Sequence, residues 1–556
     1  MTNKKRQILA LFFIFGVAFF FRFWKLSHYP VSLSIDEVII GYDAYSILKT
    51  GKDHWGEFLP LSFKSVGDYK SPVLIYLLIP AIKIFGLNEF GIRFTTALIG
   101  SLTPLVAYFL INCLLKNKTV SLFSALLLAA SPWHIQFSRA TFEAVLALFF
   151  LMTGILVFLK SLKNKGKWWW LTGFFLSLSM YSYHAEKAFI PALLVSLAVI
   201  FRKKIWQFKR NAFLALVVSL LILIPFICLM FSSQGQTRAR SVFFTNDFEL
   251  RILRLEKIKN WSGRSIIEKT LNGEIVNIAS FWVKRYLEYS DFSYLFFKGM
   301  NYTHPKFPDV GVMYYFELPF FLLGIFVLAN KTKIDKEKKT LIFSWLFLGP
   351  LPASLANNSQ HPLRSLTTLP MPQLISGLGI WYFINWLRKV KIWKMSKVIL
   401  SFALGLAIFI SIFYYLDIYY VHCPVHYSHY WMYGMKEAAL YAWQNKDQYD
   451  QIIFDPDFGI EAKNIRSIPF AYVLTYGQVS PEIIHSARKE NNGPLSFEGF
   501  VFRNVYWPED KNLKNALLIA SFWQLSPKEI PTEKVVKMIS LYNGQPMFYL
   551  VETDKE

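Results

Sequence analysis

The stretch Pro72-Val73-Leu74-Ile75-Tyr76-Leu77-Leu78-Ile79-Pro80-Ala81-Ile82-Lys83-Ile84-Phe85-Gly86-Leu87 decides how the chain is threaded. It is apolar, but it falls short of the about 20 residues that cross a hydrocarbon core about 30 Å thick. It also carries Pro80 and Lys83 inside. Both features suit a helix lying in the membrane interface rather than a crossing. Around it, eleven further apolar runs are expected to span: roughly 8–24, 93–115, 119–137, 142–160, 168–183, 188–202, 211–231, 313–329, 340–357, 365–386 and 398–416. With 72–87 left uncounted and the N-terminus inside, six segments fall on the cytoplasmic side. They are Lys4 to Arg6, Lys116 to Lys118, Lys160 to Lys167, Arg202 to Arg210, Lys331 to Lys339 and Arg388 to Lys397, and every one is basic. Counting 72–87 as a span would put these clusters outside, against the positive-inside rule.

The totals agree with a polytopic helical membrane protein. Of 556 residues, 54% are hydrophobic and 18% aromatic, with a mean hydropathy of +0.32. The net charge of +23 would suggest a nucleic-acid partner in a soluble chain. Basic cytoplasmic loops explain it here, and no nucleic acid is expected. Cys113, Cys228 and Cys423 support no disulfide framework, zinc pattern or redox motif. Lys4-Lys5-Arg6 before the apolar run Ile8 to Trp24 is like a signal peptide. The run is long and lacks a small-residue cleavage site, so it is expected to be an uncleaved anchor.

Residues 1–416 therefore form a transmembrane domain, with external loops at 25–92 and 232–312. Within the second loop, Arg251 to Trp261 has apolar residues at Ile252, Leu255 and Ile258, the spacing of a basic amphipathic helix. Residues 417–556 are soluble in composition. β-like runs at 451–454, 471–475, 499–502, 516–519 and 547–551 alternate with helical stretches near 431–446 and 480–490, predicting a small extracytoplasmic α/β domain. Asp455-Pro456-Asp457 reads as a turn rather than a metal or sugar site.

The ionisable residues of the external face are the candidates for chemistry. Ser34 with Glu37 fits the capping box S-x-x-E, and acids are favoured in a first helical turn. Asp36 and Glu37 also follow a membrane anchor directly, where a carboxylate can accept the proton of an attacking hydroxyl as a phosphate leaving group departs. Lys70 precedes Ser71-Pro72, a cap and a first helical residue. It is either a snorkelling lysine or the cation beside a lipid phosphate. Arg139 and Glu143 are four apart, so they form a surface ion pair or face a substrate. His184, Glu186 and Lys187 share one turn, where a His beside a Glu is more often structural than a metal ligand. In His361-Pro362-Leu363-Arg364 the arginine offers a planar fork suited to a phosphate.

Taken together, Asp36-Glu37 soon after the first span, Lys70-Ser71-Pro72 opening an interfacial helix, and Arg93-Phe94-Thr95-Thr96-Ala97-Leu98-Ile99-Gly100-Ser101-Leu102 resemble the GT-C glycosyltransferases. The nearest branch holds the bacterial relatives of dolichyl-phosphate-mannose protein mannosyltransferases (glycosyltransferase family 39) and of the lipid A aminoarabinose transferase. Ala130 to Arg139 resembles that family's third-span ending. The match covers about 25–230, loosens to 416 and is thin beyond.

The resemblance implies a GT-C fold with about eleven transmembrane helices and juxtamembrane helices in the first external loop. It implies transfer of a sugar from a polyprenyl-phosphate donor to a protein, lipid or glycan acceptor on the extracytoplasmic face of a bacterial cytoplasmic membrane, normally with inversion. Asp36 matches the catalytic carboxylate and general base, with Glu37 beside it, while Lys70 and Arg139 match substrate-binding positions. Glu143, His184, Lys187, His361 and Arg364 join them by position, as donor-phosphate or substrate ligands. No metal or other cofactor is expected. The sequence departs from the family at Ser71, where the second residue of Lys-Pro-Pro usually stands, and at Glu143, where Asp is common. A transporter, a flippase or a non-catalytic scaffold is the competing reading, but transporters place ionisable groups near the midplane, often in inverted repeats. No repeat stands out here.

Overall fold

The computed structural model describes residues 3–65, 69–231, 243–259, 273–299, 308–330, 334–357, 360–390, 394–458, 465–490 and 496–554. Helix α1 (Asn3–Phe23) leads through a tight segment to α2 (Ile35–Thr50), which begins at the expected capping box. The Glu37 carboxylate accepts from the Ser34 N–H at 2.9 Å, and Ser34 Oγ accepts from the Glu37 N–H at 3.4 Å. Gly51 ends the helix at φ +72°, a conformation glycine adopts without Cβ strain. A short hairpin, β1 (Phe63–Lys64) with β2 (Tyr69–Lys70), runs into α3 (Pro72–Phe85), with Pro72 in the first turn where its missing N–H costs nothing.

There follow α4 (Glu89–Leu115), α5 (Lys118–Ala130), α6 (Pro132–Ser138), α7 (Glu143–Ser161), α8 (Trp169–Ser182) and α9 (Glu186–Ile200). Each of the eleven expected spans contains helix, but only five described helices are long and apolar enough to cross. They are Lys4–Phe23, Glu89–Leu115, Glu143–Asn164, Lys209–Cys228 and Lys394–Trp431. The pair α5 and α6, bent by 51°, makes a sixth if taken as one span. Helices α8 and α9 and the helix Glu317–Asn330 have 14 or 15 residues. At 1.5 Å per residue they reach about 21–23 Å, less than a hydrocarbon core. The runs expected at 168–183, 188–202 and 313–329 are themselves short, at about 15–17 residues. The amphipathic run in the second loop is helical over Phe248–Lys259; Asn260, Trp261, Lys331 and much of 232–312 lie outside the described residues.

Two of the later helices, Glu317–Asn330 and Met371–Lys389, approach closely because Gly324 and Gly379 carry no side chain. A Cβ on Gly324 would meet the Ile375 carbonyl, and one on Gly379 would meet that of Phe320. Small residues at such contacts let helix backbones pack where lipid offers no hydrophobic drive.

The C-terminal region is a six-stranded mixed sheet. In chain order its strands and those of a side hairpin are β3 (Gln451–Phe454), β4 (Asp457–Phe458), β5 (Ile465–Arg466), β6 (Ser496–Phe497), β7 (Phe500–Val501), β8 (Ala516–Ser521), β9 (Val535–Ser540) and β10 (Pro546–Glu552). The sheet order is β6-β7-β3-β8-β10-β9, with β3 parallel to β7 and β8. One expected strand is corrected: 471–475 lies in the helix Pro469–Tyr476. All five residues are buried, and a fully buried run cannot be told from a strand by periodicity.

This region shares a core with the first loop. Leu33, Val38 and Tyr42 of the loop and α2 join Phe454, Tyr472 and Leu474 in one apolar cluster. Tyr472 Oη donates to the Leu33 carbonyl and Tyr42 Oη to that of Val479, each at 2.9 Å. Gly324→Ala and Gly379→Ala are each expected to cost about 1–3 kcal/mol through forced separation of the two helices. Gly16→Ala, with nothing within 4 Å of its Cβ, serves as the neutral control, and thermal unfolding in detergent reads all three.

Candidate functional site

The N-terminal ends of α2, α3 and α7 bring three of the candidate side chains together. Lys70 Nζ lies 2.6 Å from Asp36 Oδ1, with the lysine side chain 9% exposed and the aspartate 45%. Beside them the Ser71 N–H donates to Glu143 Oε1 at 3.4 Å. Helix N-termini carry partial positive charge and unpaired N–H groups, so their convergence with an ammonium favours an anion. The exposed carboxylate of Asp36 is the group of this cluster most open to a second molecule.

Directly behind Asp36, Glu37 is fully buried. Its carboxylate accepts from Arg93 Nε at 2.9 Å and Nη2 at 3.3 Å, and from the Thr141 N–H at 3.2 Å, besides closing the capping box. Arg93 uses its other donors on the carbonyls of Leu26, Pro30 and Ser32, at 2.6–3.1 Å. Glu37 thus fixes the start of α2, and with it the direction in which Asp36 points.

Arg139 is also fully buried, not on a surface. It donates to the carbonyls of Phe21 and Trp24 at 2.7 Å and of Tyr29 at 3.0 Å, and to Tyr419 Oη at 3.1 Å. It holds the segment after α1. The i,i+4 spacing to Glu143 has no structural meaning, because α6 ends at Ser138 and α7 starts at Glu143. His184 and Lys187 meet at the α8–α9 turn, Nδ1 to Nζ 2.7 Å, with Lys187 Nζ 4.2 Å from the Phe226 ring centroid. His361 is buried and its N–H donates to Tyr289 Oη at 3.0 Å. Arg364 Nη1 donates to the Asn357 carbonyl at 2.5 Å and to Asn357 Oδ1 at 3.3 Å.

Sequence reasoning passed over the partners of Glu37. A signal was available in Arg93, a charge near the start of a long apolar helix, which demands a buried partner. It also missed a buried pair in the same loop, Asp43 Oδ1 to His54 Nδ1 at 2.6 Å. Burial, and then the negative charge of Asp43, push the neighbouring Asp53 carboxyl above its usual range. Among the described residues no three His, Cys, Asp or Glu side chains gather as a metal-sized group.

Residues 69–229, which hold Lys70, Arg93, Arg139 and Glu143, match the family described as Dolichyl-phosphate-mannose-protein mannosyltransferase. The chain has the GT-C fold. Over 99% of its length it superposes on 98% of ArnT from Cupriavidus metallidurans bound to undecaprenyl phosphate, with a TM-score of 0.53 at 11% identity. It covers 70% of the Archaeoglobus fulgidus oligosaccharyltransferase in its apo form with 94% of its own length, TM-score 0.53 at 13% identity. An uncharacterised protein of Aquifex aeolicus is 28% identical over 161 residues, 28% of this chain and 32% of that relative. At such identities the two solved structures share the GT-C fold with this chain and nothing finer.

Arg93→Met should destabilise the protein by about 3–5 kcal/mol, because it strands the buried Glu37 charge. The double variant Arg93→Met/Glu37→Gln should recover part of the loss. Unfolding midpoints of the single and double variants check this.

Proposed function

We propose that the chain transfers a sugar from a polyprenyl-phosphate carrier to an acceptor hydroxyl or amine, on the membrane face that carries the first loop. The observation that carries this reading is the Asp36–Lys70 pair, a half-exposed base held 2.6 Å from a buried cation. Asp36 takes the proton of the acceptor as its oxygen or nitrogen attacks the anomeric carbon. The bond from that carbon to the carrier phosphate breaks, and its electron pair leaves with the phosphate. Lys70 and the N-termini of α2, α3 and α7 stabilise the charge that develops there. Attack opposite the leaving group inverts the anomeric centre. In this reading Lys70 supplies the positive charge that a metal would otherwise provide, so no metal is assigned.

The family match over 69–229 and the GT-C fold support the same chemistry. The six basic segments support an N-terminus in the cytoplasm and, with it, an extracytoplasmic Asp36 and C-terminal sheet, in the reading of a bacterial cytoplasmic membrane.

Transfer or donor hydrolysis by purified protein in lipid, followed with radiolabelled polyprenyl-phosphate sugars, tests the reading. Asp36→Asn should lower turnover by about 10²–10⁴-fold, the range of general base catalysis. Unchanged turnover would remove Asp36 from the mechanism. A chelator should leave turnover intact, and a loss restored by added metal would overturn the metal-free assignment.

A further inference from the structure

Apart from the Asp36–Lys70 cluster, a cleft of about 690 Å³ opens between the segment after α1 and the C-terminal region. Asp36, Lys70 and Glu143 do not line it. Its walls include Lys25, His28, Tyr433, Tyr441, Gln444 and Tyr542. Several rings and one amide around an open cleft suit a saccharide, whose C–H faces lie on aromatic surfaces while its hydroxyls take hydrogen bonds.

The charges in the cleft are sorted. Lys436 Nζ is tied to Glu89 at 2.6 Å, and Lys537 Nζ to Glu437 at 2.9 Å, with its ammonium 5.3 Å from the Tyr441 ring centroid. Tyr433 and Tyr542 meet edge to face at 5.7 Å. Lys25 is exposed, and among the described residues no side-chain partner neutralises it. It sits at φ +50°, a left-handed conformation that a lysine does not favour. The wall that carries it is rigid: Arg139 holds the carbonyls of Trp24 and Tyr29, and Arg93 those of Leu26, Pro30 and Ser32. An uncompensated cation on a preorganised wall, in a cleft that tyrosines and an amide also line, selects a sugar that carries a negative charge.

We propose that this cleft binds a saccharide bearing a carboxylate or phosphate, with Lys25 pairing the anion. Naming that saccharide the acceptor rests on the transferase reading; the binding itself does not.

The test uses the full-length Asp36→Asn protein in nanodiscs of zwitterionic lipid, so turnover plays no part. Calorimetry compares an oligogalacturonate with a neutral oligosaccharide of equal length. The acidic ligand should bind at least about tenfold tighter, the difference made by one charge-assisted hydrogen bond. Lys25→Ala should erase that preference, Lys25→Arg should keep it, and Gln444→Ala should weaken both ligands. Equal affinity for the two ligands, or affinities unmoved by Lys25→Ala and Gln444→Ala, would overturn the proposal. So would full competition by inorganic phosphate at equal concentration, which marks an anion site without sugar recognition. A last arm adds an anionic phospholipid to the nanodisc. If that lipid alone displaces the oligosaccharide completely, the cleft holds a lipid headgroup and the saccharide assignment falls.

Discussion

Buried guanidinium groups bonded to main-chain carbonyls are what the rest of the structure hangs on. Arg22, Arg93 and Arg139 are each fully buried, and removing an ion from water costs several kcal/mol unless its donors are satisfied. Arg93 meets that cost with the Glu37 carboxylate and three carbonyls. Arg139 meets it with carbonyls, Tyr419 Oη and the rings of Tyr419 and Tyr420, each centroid 5.5 Å away. Arg22 donates to the carbonyls of Ala18 and Ala129 and faces His134 Nδ1 at 2.7 Å. The planar fork of arginine makes this possible, since a lysine ammonium could not reach so many acceptors spread over one segment.

The segment that these arginines clamp, roughly 21–32, has two sides with different tasks. Its far end delivers Ser34, the cap of α2, and so sets where Asp36 emerges. Its near end, Lys25 to Tyr29, forms a wall of the cleft between this segment and the C-terminal region. One set of buried charges therefore positions both the half-exposed carboxylate and the cleft that faces the sheet. Both surfaces are held in place by the same buried bonds.

Much of this was legible in the sequence, and the failures share a cause. The capping box at Ser34, the proline start of α3 and the helices within the apolar runs follow from local rules, and the chain obeys them. The spacing of Arg139 and Glu143 fits a surface ion pair or two substrate-facing groups, yet the break after Ser138 gives them unrelated partners. Glu37 looked like a twin of Asp36, but consecutive helical residues point about 100° apart. One side chain turned inward to Arg93 while the other stayed in the open. The helix Pro469–Tyr476 reads as a strand because it is buried between α2 and the helix Met435–Gln444. Each miss involves a side chain whose surroundings come from a distant part of the chain.

The run Lys394–Trp431 is continuously helical over 38 residues, α-helical to Asp417 and then passing through a π turn, a short α turn and a 3₁₀ turn. It ends just before Tyr433 and the helix Met435–Gln444, which form the sheet-side wall of the cleft at Lys25. The run is also tied to the opposite wall: Tyr419 Oη accepts from Arg139, which holds the carbonyls of Trp24 and Tyr29, and the Tyr420 ring lies 4.9 Å from that of Tyr29. One helical run therefore reaches both walls of the cleft and sets the distance between them.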